Sequence, residues 1–298
     1  MNDDHRVKRS IPAILLASAL ALAPSATADT EGTTWFLGGG RTAGSPSELT
    51  IEQARERLGD RGADPRIDAV IQYSRDGVHT GGPFGAAVRE GTANAVAVVE
   101  PGDIVIGYSQ GAVIAQQLKK ILAGDPAVTG ADYAFVTFGD PTNGKGGEMP
   151  FMRRHRINLG DLLPPLTADD ETVFTTTTVA QEYDRIADFP DRPWNLVAVY
   201  NSLLSAKDHL GYKLAWSDTT EAQRGQGVHF DDTQDRDRVI TTERNSKGGS
   251  NIHVLVKSDT LPLTRPLRTG VSWLDRVVDA IDIPLRWIID LGYHGVRA

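Results

Sequence analysis

Residues 103–124 read DIVIGYSQGAVIAQQLKKILAG, and they contain the sharpest local signal in the chain. The β-branched run Asp103-Ile104-Val105-Ile106 predicts a strand buried on both faces. The stretch that follows predicts a helix. Ile114, Leu118, Ile121 and Leu122 fall on one face, and Gly124 closes it. Between the two lies Gly107-Tyr108-Ser109-Gln110-Gly111, a G-x-S-x-G pattern in a strand–turn–helix setting. A turn this tight strains the backbone of Ser109 and leaves no room for side chains two residues either side, hence Gly107 and Gly111. It lifts the serine oxygen out at the carboxyl end of a sheet and aims the N–H of Gln110 where an oxyanion forms. The pattern predicts a nucleophilic serine on an α/β-hydrolase type of fold.

The flanking chain has the alternation such a fold needs. Residues 33–39, 68–74, 132–139 and 172–184 read as further strands, and 251–258 as a sixth strand or a connection. Residues 49–59 and 84–99 read as helices, the second despite Gly91. Strands alternating with helices predict a mostly parallel, doubly wound sheet flanked by helices. Residues 216–250 are polar and read as a solvated loop. The acid spacing of DDTQDRDR (231–238) lacks the glycine and closing glutamate of a calcium loop. The end of the chain, 271–293, sets Trp273, Val277, Val278, Trp287, Ile288 and Leu291 at helical spacing. It predicts a helical, lid-like extension, with packing on the core preferred to a lid or a lipid-facing role.

A serine needs a base, and the base an orienting acid, in the chain order Ser, Asp or Glu, His. His79 precedes the serine. His155 reads as surface, and His229, His253 and His294 are weaker candidates. His209, in KDHLGYKL, is the predicted base. The fifth strand runs into Tyr183-Asp184-Arg185-Ile186-Ala187-Asp188-Phe189-Pro190. Asp188 is the preferred acid, Asp184 the reserve, and Asp161 a third choice. The glycine loop after the first strand, Gly38-Gly39-Gly40-Arg41-Thr42, is the expected source of a second oxyanion donor, set at Gly40 beside Gln110.

The first residues add a location. Arg6, Lys8 and Arg9 precede an apolar run at 11–23, and Ala26-Thr27-Ala28 follows. Together they predict an export signal over 1–28, with an uncleaved anchor as the alternative, and one domain over 29–298. The chain has 31 Lys+Arg against 39 Asp+Glu, a formal charge of −8. Without a basic stripe, nucleic acid is an unfavourable partner. There are no cysteines, which excludes disulfides, thiol nucleophiles and thiolate metal sites. No metal or organic cofactor is expected.

These motifs resemble the PE-PPE-domain serine hydrolases of mycobacteria, themselves similar to cutinases. The resemblance runs through FLGGGRTAG (36–44), GYSQGAVIA (107–115), FVTFGDPTNGKGG (135–147), TTVAQEYDRIADFPDRPWNLVAVYNSL (177–203), DHLGY (208–212), LPLTRPLR (261–268) and LRWIIDLGY (285–293). It implies a Ser–Asp–His triad at Ser109, Asp188 and His209, with Asp184 still open because both acids lie in one motif. The loop GGGRTAG departs from the family's G-G-T-G.

The activity expected is an exported or envelope-associated esterase acting on acyl esters through an acyl-enzyme. An acyltransferase moving chains between trehalose-type glycolipids is the alternative, and a silent envelope-binding scaffold a second one. The expected partners are an acyl ester or glycolipid substrate, with peripheral contact to envelope lipids and no obligate protein partner.

Overall fold

A computed structural model describes residues 32–58, 67–206, 209, 212 and 238–293. The proposed signal at 1–28, His229, His294 and nearly all of the acidic cluster lie outside these residues. Seven strands form one sheet: β1 (Thr34–Leu37), β2 (Ala69–Val70), β3 (Asp103–Tyr108), β4 (Tyr133–Phe138), β5 (Thr175–Gln181), β6 (Arg238–Arg244) and β7 (Ser250–Val256). Their order is β2-β1-β3-β4-β5-β7-β6. Every pairing is parallel except β6 with β7. The helices are α1 (Ile51–Leu58), α2 (Phe84–Val96), α3 (Gln110–Leu122), α4 (Glu148–Arg154), α5 (Leu196–Leu203) and α6 (Ser272–Asp290).

The central strands are apolar on both faces because both faces are covered. Leu37 and Val105 meet α2 and α3 in one cluster with Val88, Ile114, Leu118 and Phe135. Their neighbours Phe36 and Ile106 point the other way, into a cluster with Leu49, Ala54 and Val136. Successive side chains in a strand face opposite ways, so a double-sided core demands the near-continuous apolar run seen in β3. Gly91 sits inside α2 for a packing reason. A Cβ there would lie 2.4 Å from Ile114 Cδ1 on α3.

Three expectations change. Ile121, grouped on one face of α3 with Ile114, Leu118 and Leu122, is exposed, while Ile114 and Leu118 are buried and Leu122 packs against the core. Part of the polar stretch assigned to a loop forms β6, the antiparallel edge. Thr241, Thr242, Glu243 and Arg244 are exposed, so its polarity reflects an edge rather than the absence of a strand. The C-terminal extension does form α6, but only Val278 of the six apolar residues named for it is buried. No described helix is long and apolar enough to cross a membrane.

The winding reverses between β1 and β3, which are adjacent although β2 lies between them in sequence. At such a switch point the following loops diverge and leave a crevice at the carboxyl ends of the strands. The loops after β1 and β3 are the glycine loop and the Ser109 turn.

Candidate active site

Ser109 occupies the turn between β3 and α3 with φ 55 and ψ −118. This is the left-handed half of backbone space, costly for a residue with a Cβ. The turn is held from both sides. The Ser109 N–H donates to the Phe138 carbonyl at 2.8 Å, and its own carbonyl accepts from Ala112 and Val113. A Cβ on Gly107 would stand 2.6 Å from Ala112 Cα and from the Gly111 carbonyl. One on Gly111 would stand 2.0 Å from the Leu37 carbonyl of β1. Both glycines are therefore required by backbone contacts that cannot give way.

His209 bridges two other groups. Its Nε2 is 2.8 Å from Ser109 Oγ, and its Nδ1 is 2.8 Å from Asp184 Oδ2. The ring stacks on Tyr108, with centroids 5.7 Å apart and planes 19° from parallel. Tyr108 also donates its hydroxyl to the His209 carbonyl at 2.6 Å. Gly139, at φ 58, makes room on the other side, where a Cβ would lie 2.8 Å from His209 Cε1.

The acid beside His209 is Asp184, and Asp188 is not in contact with the imidazole. Both carboxylates are buried, and the turn between β5 and α5 aims them differently. Tyr183, at φ 69, reverses the chain just past β5. Asp188 Oδ2 accepts from the Tyr183 N–H at 2.7 Å, and the Asp188 N–H donates to the Asp184 carbonyl at 2.7 Å. Asp188 thus closes the turn, and the closure presents Asp184. Asp184 Oδ2 also accepts from Tyr212 Oη at 2.7 Å, and Oδ1 from the Ile186 N–H at 2.9 Å. Burial alone would raise the Asp184 pKa. The facing His209, with the hydrogen bonds from His209, Ile186 and Tyr212, outweighs burial and holds the carboxyl below its usual range.

The other candidates are elsewhere. Asp161 forms an exposed ion pair with Arg89. His79 and His155 are exposed, and His253 lies on β7 with its basicity lowered by burial.

The glycine loop lies against Ser109: a Cβ on Gly39 would be 3.2 Å from Ser109 Cβ. The Arg41 N–H is occupied by the Arg75 carbonyl at 2.9 Å. The Gly39 carbonyl accepts from Arg75 Nε at 2.8 Å. In a trans peptide the C=O and the following N–H point opposite ways, so this bond sets the direction of the Gly40 N–H. Gln110 is tied to the same region, its Nε2 donating to the Asp76 carbonyl at 2.6 Å. As the first residue of α3, it has a backbone N–H without an intrahelical partner.

Three contributors escaped the sequence reading. Tyr212 lies in the DHLGY segment, which by itself assigns it no role, and Arg75 and Glu148, the latter in the first turn of α4, carry no local motif. Burial pushes the Glu148 carboxyl up to about 7, opposed by His209 and Arg185 and reinforced by Asp184. The described residues contain no group of His, Cys, Asp or Glu able to hold a metal ion.

A family model for the PE-PPE domain matches residues 77–294. The chain belongs to the PE-PPE domain family. Its PE-PPE relatives in Mycobacterium tuberculosis (strain ATCC 25618 / H37Rv) include a protein named diacyltrehalose acyltransferase Chp2. That relative is 33% identical over 219 residues, covering 70% of this chain and 56% of its own. Esterase PE16 is 32% identical over 194 residues, covering 64% of this chain and 33% of its own. SL1278 acyltransferase Chp1 is 28% identical over 214 residues, covering 70% and 49%. The chain thus spans between a third and about half of the length of these relatives. No solved structure matches it.

Proposed function

We propose that this protein is a serine hydrolase of acyl esters working through an acyl-enzyme, with Ser109 as nucleophile, His209 as base and Asp184 as orienting acid. The observation that carries the reading is the two-sided contact of His209 with Ser109 Oγ and Asp184 Oδ2, 2.8 Å each. Asp184, kept ionised, holds the proton on Nδ1 and leaves Nε2 free to accept one. Ser109 Oγ attacks the ester carbonyl as His209 Nε2 takes its proton. The carbonyl oxygen becomes an oxyanion, faced by the N–H groups of Gln110 and Gly40. His209 then returns the proton to the departing alkoxide. A second hydroxyl, deprotonated by His209, releases the acyl group.

Two relatives are named as acyltransferases and one as an esterase. Transfer of the acyl chain to a sugar hydroxyl of a trehalose-type glycolipid is therefore the second reading, and it uses the same groups. We also propose export, supported by the basic, apolar and small-residue pattern of residues 1–28.

Labelling by a fluorophosphonate probe tests the mechanism. The wild-type protein should label, Ser109→Ala should not, and His209→Ala should label far more slowly. Labelling that survives Ser109→Ala, or its absence from a folded wild-type protein, refutes the assignment. Radiolabelled acyl release in the presence of acylated trehalose distinguishes free acid from transfer product.

A further inference from the structure

Helices α5 and α6 are wrapped in apolar side chains on the side away from the core. At about 100° per residue, Trp273, Val277, Ile281, Trp287, Ile288 and Leu291 fall in one sector of α6 about 120° wide. All six are exposed, Trp273 to 62% and Trp287 to 68%. No charged residue of α6 falls in that sector. The helix packs inward through a separate face, with Val278 and Ile289 buried and Leu285 against the cluster that holds Ile289.

Helix α5 is inverted outright. Its buried residues are Ala198, Asn201 and Ser202, while Leu196, Tyr200 and Leu203 are exposed. A helix in water places its apolar stripe on the core, and here the more apolar face looks out. The two helices touch: Asn195 Nδ2 donates to the Ile288 carbonyl at 2.7 Å, and a Cβ on Gly292 would meet Ala198 Cβ at 2.4 Å. Trp194 stands exposed beside them.

We infer that the outer faces of α5 and α6 form a docking surface for an uncharged acyl-glycolipid layer, which brings lipid to the lip of the Ser109 site. The inference rests on the acyl-ester reading above. Its chemistry follows from three features. The exposed stripe is apolar and carries Trp and Tyr, side chains that favour the boundary between acyl chains and polar head groups. The charged residues of α6 are Asp275, Asp279, Asp282 and Asp290 against Arg276 and Arg286, and the chain as a whole carries −8, so anionic lipid is not attracted. The surface is also tied to the turn that carries Asp184. Tyr183 donates its hydroxyl to Asp290 of α6 at 2.8 Å, and the Arg185 N–H donates to Ser205 Oγ just past α5 at 3.0 Å.

The test is flotation of the full chain with phosphatidylcholine vesicles containing acylated trehalose. It is paired with quenching of tryptophan fluorescence by brominated phosphatidylcholine. The wild-type chain should float and be quenched, and added phosphatidylglycerol should not tighten binding. The combined variant Tyr200→Ser, Trp273→Ser and Trp287→Ser should lose at least about tenfold in partitioning, since affinity scales with the apolar area inserted. Its turnover of a soluble short-chain ester should be unchanged. Equal partitioning of the variant, a requirement for anionic lipid, or a dimer in light scattering that the substitutions dissolve would each overturn the proposal. The soluble ester assay separates this outcome from a failure of the catalytic reading, because vesicle binding needs no turnover.

Discussion

Asp188 does not touch His209, yet it closes the turn from which Asp184 does. Its carboxylate accepts from the Tyr183 N–H at 2.7 Å, and its own N–H donates to the Asp184 carbonyl at 2.7 Å. Two buried acids four residues apart therefore have separable places, one facing the imidazole and one closing the turn.

Substitution at each acid should separate these places. Asp184→Asn leaves the turn intact but presents the wrong partner to Nδ1, and kcat should fall by about 10³–10⁴-fold with little change in thermal stability. Asp188→Asn should instead lower stability by roughly 1–3 kcal/mol, as the buried bond from the Tyr183 N–H loses its charged acceptor. Steady-state kinetics beside thermal melts give the answer. A larger kcat loss for Asp188→Asn than for Asp184→Asn would reverse the assignment.

Tyr212 donates to the same oxygen of Asp184 that faces His209. Removing its hydroxyl takes away one of the bonds that keep Asp184 ionised. Tyr212→Phe should raise the Asp184 pKa, so the acid limb of the kcat/KM profile should shift to higher pH. An unchanged limb together with a lower plateau would show that Tyr212 acts only on ring placement.

Arg75 should position the second oxyanion donor through its bond to the Gly39 carbonyl. Arg75→Lys keeps the charge but not the planar donor, and should reduce kcat for a short ester by about 10–100-fold while KM moves little. A KM effect without a kcat effect would place Arg75 in substrate binding instead.

Glu148 ties stability to pH. Its pKa, raised from 4.5 to about 7, means that the folded protein holds a proton the unfolded chain has released. The sign follows: nothing is lost below pH 4.5, the cost grows as pH rises from there, and it is complete above about 7. Glu148→Gln should therefore melt higher than the wild-type protein at pH 8 and show little or no gain at pH 4. A gain of equal size at both pH values would detach the effect from ionisation.

Much of the site is legible in the sequence. Ser109 was legible because its glycines answer to backbone collisions, which are local. His209 was legible through its position downstream of the fifth strand and its family-like DHLGY segment. The choice between Asp184 and Asp188 was not, because it depends on the positive φ of Tyr183, and the side-chain direction after such a residue is invisible in spacing. Helix α5 was missed because its inward face is small and polar, which erases the usual amphipathic signal. The same inversion misled the expectation for α6, where helical spacing was correct but the side turned to the core was not.

The antiparallel strand β6 has a consequence for life at high concentration. A parallel sheet ending on an open β7 would offer a row of free backbone donors and acceptors to the next molecule. Instead the last strand, Arg238–Arg244, runs against it, and its exposed Thr241, Thr242, Glu243 and Arg244 are polar or charged. Charged groups along an edge discourage another strand from adding on. At the opposite margin, β2 spans only two residues and offers little to pair with. A chain with no cysteine to staple it thus guards both margins of its sheet against fibrous self-assembly by charge at one end and brevity at the other.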